Sequence, residues 1–131
     1  MNPAAGAGQS VLVVDHRQMV ADRVAAFLKH NGFEARATYS PDEALAVTQF
    51  WMPDVILADV SEPGREVVEK TLGLCSAVPD CRLVVLLSEE ADLDRVLYYK
   101  NQGEDFEMLR TPVDPQELIQ YLSTLIRNKA A

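Results

Sequence analysis

Val11-Leu12-Val13-Val14-Asp15 and Asp54-Val55-Ile56-Leu57-Ala58-Asp59 are two short apolar runs that each finish on an aspartate. Each opens a unit in which a strand-like run is followed by a helix-like one, the pattern that builds a parallel sheet covered by helices. In such open sheets ligands bind beyond the carboxyl ends of the strands, where the strand order reverses. Asp15 and Asp59 therefore belong to one candidate site.

Working outward, the run over 10–14 reads as the first strand. Val20, Val24, Phe27 and Leu28 then follow at helical spacing until Asn31-Gly32 supplies a stop. Phe33 to Thr38 reads as an outer strand. Ser40-Pro41-Asp42-Glu43 combines an N-cap, a proline at the first helical position and a capping-box glutamate, with Ala44, Val47, Thr48 and Trp51 as the buried face. Val55 to Ala58 suits a central strand covered on both faces. A third helix follows Glu62-Pro63-Gly64, with Val67, Val68, Thr71, Leu72 and Cys75 on one stripe, and closes before Pro79. Leu83 to Leu87 is the fourth strand. Leu93, Val96, Leu97 and Tyr98 are expected to face inward from a fourth helix ending at Gln102-Gly103. Asp105 to Leu109 is a weaker fifth strand, and Leu118, Ile119, Leu122, Leu125 and Ile126 mark the last helix. Right-handed crossovers leave few arrangements for five such units. The expectation is an α/β fold, a doubly wound five-stranded parallel sheet of order 2-1-3-4-5 with five helices. One domain is expected over 10–128, between a flexible leader over 1–9 and a tail over 129–131.

The 131 residues suffice for one core, and the apolar runs are broken by charge well short of the ~20 residues of a membrane span. The N-terminal residues lack a basic region and a long apolar stretch, so they do not read as a secretory signal. A net charge of −8 opposes general affinity for nucleic acid or anionic lipid and points to a protein partner or a cation. The two cysteines, Cys75 and Cys81, match no zinc or redox spacing, and buried reduced thiols in a cytoplasmic setting are expected.

At the rim of the expected sheet stand Asp15 and His16 after strand one, Asp59 after strand three, Ser88 after strand four and Arg110-Thr111-Pro112 after strand five. Val13-Val14-Asp15, Pro53 to Asp59 with Glu62-Pro63-Gly64 behind it, Leu86-Leu87-Ser88 and Pro112-Val113-Asp114-Pro115 are individually weak motifs. In this order and spacing the chain resembles the receiver domain of bacterial response regulators over nearly its whole length. The resemblance implies two-component, phosphorelay signalling. A histidine kinase or other signalling protein would be the partner, Asp59 the phosphoryl acceptor, and Asp15, Asp59 and the Ser61 backbone carbonyl the ligands of Mg²⁺. Ser88 would be the hydroxyl that meets the transferred group. At most slow self-phosphorylation and self-dephosphorylation at Asp59 would follow, not enzymatic turnover of a substrate. Contacts, including a homodimer, would run through helix four, strand five and helix five. The chemistry needs a hard divalent ion to neutralise crowded oxygens and fixed donors to hold the phosphoryl group.

The departures are equally specific. His16 stands where the family has a second acid, so a nitrogen that Mg²⁺ does not favour replaces an oxygen, and the expectation is weakened metal binding. Thr111 stands at the lysine position. Arg110 is adjacent, but successive strand residues face opposite ways, so it would need a bulge or a long reach to substitute. Glu89 replaces a very small residue, Val67 a common glycine, and Met108 a reporting aromatic. The reading is thus an atypical receiver acting through protein contacts, with signalling weakened or independent of phosphate and an imidazolium at His16 standing in for the metal's charge. A conventional Mg²⁺-dependent acceptor at Asp59 is the alternative. A flavodoxin-like nucleotide or flavin binder is disfavoured because Asp15-His16-Arg17-Gln18 is not a phosphate loop. The resemblance also implies a cis Thr111-Pro112 bond. Tyr98 and Tyr99 sit on the expected interface helix, one of them expected in the core.

Overall fold

The computed structural model describes residues 9–62 and 65–130, with Arg65 and residues 127–130 described by backbone alone. The expected leader therefore lies outside the described residues except for Gln9, as do Pro63 and Gly64. In chain order the elements are β1 (Ser10–Val14), α1 (Gln18–His30), β2 (Glu34–Thr38), α2 (Pro41–Val47), β3 (Val55–Asp59), α3 (Arg65–Ala77), β4 (Arg82–Leu87), α4 (Leu93–Asn101), β5 (Glu107–Arg110) and α5 (Pro115–Ala130). The five strands form one parallel sheet in the order β2-β1-β3-β4-β5. The strand order thus reverses between β1 and β3, where Asp15 and Asp59 end neighbouring strands.

β1 and β3 are buried along their full length, and their alternating side chains feed two cores. Leu12, Val14, Ile56, Ala58, Leu83 and Val85 join Val68, Leu72 and Val96 on one face. Val11, Val13, Val55, Leu57 and Val84 join Ala25, Leu28, Leu118 and Leu122 on the other. At the N-terminal end of the sheet, the Ser10 amide and hydroxyl both donate to Asp54 Oδ2, at 2.9 and 3.1 Å, tying β1 to the entrance of β3. Asp54 is thereby a structural clamp at the end opposite the candidate site.

The local signals act as their chemistry requires. Ser40 caps α2, its hydroxyl accepting from the Glu43 amide at 3.1 Å, with Pro41 at the first helical position. α1 and α4 are followed by Gly32 and Gly103, each at φ +92°, a conformation that residues with a Cβ rarely adopt. The Thr111-Pro112 peptide is cis.

Several expectations are corrected. Leu97 and Tyr98 do not face inward: they are 39% and 58% exposed, and Val96 is the fully buried residue of α4, flanked by the partly buried Leu93 and Tyr99. Trp51 lies past the end of α2, where it packs on the core and beneath the Arg36 guanidinium, 4.9 Å from its ring centre. β5 begins at Glu107, not Asp105. Cys81 is buried but Cys75 only partly so, and neither is in a disulfide. Among the described residues no helix is long and apolar enough to cross a membrane.

Candidate functional site

Asp15 follows β1 directly, and its amide donates to the Thr38 carbonyl at 3.1 Å, which extends the β1–β2 ladder by one residue and fixes the carboxylate at the rim. Asp59 closes β3 opposite Leu86 of β4. Both aspartates are buried, at 4% and 6% exposure. Carboxylates so placed require partners, because an uncompensated buried charge is strongly destabilising.

Arg17 is that partner. Its Nε donates to Asp15 Oδ1 at 3.0 Å and its Nη2 to Asp15 Oδ2 at 2.9 Å, a bidentate fork. The same Nη2 reaches Asp59 Oδ2 at 3.2 Å. The Arg17 amide adds a bond to Asp15 Oδ1 at 2.9 Å. One guanidinium therefore bridges the two aspartates. These hydrogen bonds to Asp15, then the charges of Asp15, Asp59 and Glu90, hold the Arg17 pKa above its ordinary value against the opposing effect of burial. The other oxygen of Asp59, Oδ1, accepts from the Ser61 amide at 2.8 Å and from the Ser61 hydroxyl.

Asp15, Asp59, Ser88, Glu89 and Thr111 line one cavity, which brings together Asp15, Asp59, Ser88 and Thr111 of the residues anticipated at the strand ends. The Ser88 hydroxyl accepts from the Glu90 amide at 3.3 Å, and the Thr111 amide donates to the Leu87 carbonyl at 2.9 Å. Arg110 ends a regular β5 paired with Leu87, is exposed and does not line the cavity, so it does not take the place of a cation there. His16 is exposed, its Nδ1 3.7 Å from Asp15 Oδ1, and it does not line the cavity either. The side chain that bridges both carboxylates by hydrogen bonds is Arg17, while His16 stands beside Asp15.

The family model of the response regulator receiver domain matches residues 11–123. The chain belongs to the response regulator receiver domain family. Solved structures of similar proteins cover nearly all of it. A receiver domain protein from Clostridium thermocellum matches with a TM-score of 0.77 at 22% identity, over 93% of this chain and 97% of that one. The chemotaxis protein CheY4 of Vibrio cholerae matches at 0.72 and 25% identity, over 88% and 97%. A CheY-like receiver domain protein from Methanospirillum hungatei matches at 0.80 and 19% identity, over 93% and 96%.

Receiver domains bind Mg²⁺ at an acidic pocket, and in this receiver one ligand atom each from Asp15, His16 and Asp59 lies within 4.8 Å of the others, a spacing compatible with a single ion. The donor set differs from three hard oxygens, since one donor is imidazole nitrogen. The two carboxylates also already face a guanidinium. Arg17 is the site residue that strand-end reasoning missed. Its only signal in the sequence is position, two residues after the strand-one aspartate on a side chain long enough to fold back over the rim.

Proposed function

We propose that this receiver domain works in two-component signalling as a protein-contact module whose acidic site carries its own cation, Arg17, and that its output does not depend on turnover of an aspartyl phosphate. The observation that carries this reading is the bridge from Arg17 to both Asp15 and Asp59. A phosphoryl acceptor needs a free carboxylate oxygen aligned with the incoming phosphorus and added positive charge to stabilise the transfer. Here Asp59 Oδ2 is engaged by Arg17 and Oδ1 by Ser61. Thr111 brings no charge to the lysine position, and Glu89 brings a negative one to the cavity. Partner contact falls to the surface of α4, β5 and α5, where Leu97 and Tyr98 are exposed. The partner is a histidine kinase or another signalling protein, and a second copy of the domain is a candidate for the same surface.

A second reading, a conventional acceptor at Asp59 with Mg²⁺ held by Asp15, Asp59 and the Ser61 carbonyl, draws on the convergence of Asp15, Asp59, Ser88 and Thr111 on one cavity. It requires Arg17 to leave. Incubation of the full chain with acetyl phosphate and Mg²⁺, read by intact mass, separates the two. The wild-type protein is expected to stay unmodified. A gain of one phosphoryl group that disappears in Asp59→Asn overturns the phosphate-independent reading.

A further inference from the structure

The cavity that opens at the acidic rim continues between α1 and the start of α5, with a volume of about 630 Å³. That lies within the ~300–1,000 Å³ typical of small-molecule sites. One wall is the stripe Val20, Val24 and Phe27, successive turns of α1, and the other is Val113 with Leu118. Leu86 lies on its floor, and all of these except Leu118 remain partly exposed. An apolar trough is thus left incompletely covered by the protein's own side chains.

The rim sets the charge of what would fill it. Four carboxylates, Asp15, Asp59, Glu89 and Glu90, face two guanidiniums, Arg17 and Arg23. Arg17 is spent on Asp15 and Asp59. Glu89 and Glu90 are exposed and form no ion pair among the described residues, and although the charge of Glu90 acts on Arg17, four carboxylates outnumber two guanidiniums, so the balance at the rim is negative. The net charge of −8 adds to that potential at longer range.

We propose that this cavity is a binding site for a small amphipathic cation, with an apolar body along the Val20-Val24-Phe27 stripe and an ammonium or guanidinium at the rim beside Glu89 and Glu90. The site combines an apolar trough with a few convergent polar groups, the composition that small-molecule pockets share. The inference goes beyond the signalling reading and stands whether or not Asp59 accepts a phosphoryl group.

The test is a calorimetric titration of the full chain with butylamine, hexylamine, octylamine and octanoate at low salt. Each methylene added along the amine series is expected to tighten binding roughly threefold to fourfold, the equivalent of burying one CH₂. Octanoate is expected to bind at least tenfold more weakly than octylamine, with the gap narrowing as salt screens the rim. Val24→Trp fills the trough from α1 and should abolish binding. Val113→Phe does so from the opposite wall and serves if the first variant does not fold, with circular dichroism reporting the fold of each. Glu89→Gln combined with Glu90→Gln should erase the preference for amine over carboxylate while keeping the dependence on chain length. Absence of octylamine binding at millimolar concentration overturns the proposal. So does tighter binding of octanoate, a flat chain-length series, or binding that survives in a folded blocking variant.

Discussion

Arg17 governs the chemistry of the site because its guanidinium is planar and forked, so it can hold Asp15 through two bonds and still offer a proton to Asp59. Removing it leaves two buried carboxylates facing one another without a counter-charge. Arg17→Ala is therefore expected to lower stability by about 1–3 kcal/mol, below the ~3–5 kcal/mol of fully buried pairs because the guanidinium is itself 46% exposed. Arg17→Lys should retain part of that, since a point charge cannot reproduce the fork. Urea denaturation with and without millimolar Mg²⁺ checks both. Mg²⁺ should stabilise Arg17→Ala by occupying the vacated carboxylates and leave the wild-type protein nearly unchanged; equal responses would count against the idea that the two cations compete for one place. The convergence of Asp15, Asp59, Ser88 and Thr111 was legible in the sequence because each directly follows or ends a strand of a parallel sheet, and all such strand ends share one rim. Arg17 was not legible in that way. Strand periodicity fixes where a Cα sits, but the direction in which a long side chain folds back is decided by which buried charges need it.

At the scale of elements, legibility depends on length. β1, β3 and β4 are short, continuous apolar runs that only a doubly covered sheet can bury, and their identity follows from that alone. α2 was legible from its cap, because Ser40 and Pro41 satisfy or remove amides that a helix start leaves bare. α4 was not. With nine residues it completes only two and a half turns, so spacings of three and four both look regular, and Leu93, Val96, Leu97 and Tyr98 cannot be ranked without knowing which side meets the sheet. Packing resolves the ambiguity in favour of Val96, with Leu93 and Tyr99 beside it. Val96→Ala should accordingly cost about 2 kcal/mol, from two lost methyl groups plus the cavity they leave. Tyr98→Ala, on the exposed side, should stay within ~0.5 kcal/mol. Chemical denaturation of the two variants decides between the observed orientation and the one the periodicity suggested; a larger loss for Tyr98→Ala would reverse the assignment.

For the whole molecule, the central fact is that one sheet serves two cores. Alternate residues of β1, β3 and β4 enter the cluster under α2, α3 and α4 and the cluster under α1 and α5, so neither face can lose its packing without stripping the strands that support the other. Any group that favours the folded form in one protonation state therefore acts on the stability of the whole. Cys75 is such a group. Partial burial, followed by the negative charges of Glu104 and Asp105, pushes its thiol from an ordinary value of 9.0 up to about 11. The folded protein thus prefers the neutral thiol, and its contribution to stability is complete below pH 9. As the pH climbs past 9 the unfolded chain ionises first, so stability falls through the interval up to about pH 11 and then levels off as the folded thiol ionises too. Tyr121, raised by burial and by Glu107, and Tyr39, raised by its bond to Asp22, act in the same direction from their ordinary value of 10.0 upward. Thermal melting followed by circular dichroism should show a midpoint that declines more steeply between pH 9 and 11 in the wild-type protein than in Cys75→Ala, whose remaining decline belongs to the tyrosines. Parallel curves for the two proteins would mean that Cys75 is as well solvated in the folded chain as in the unfolded one, which its place beside the core cluster under α3 and α4 argues against.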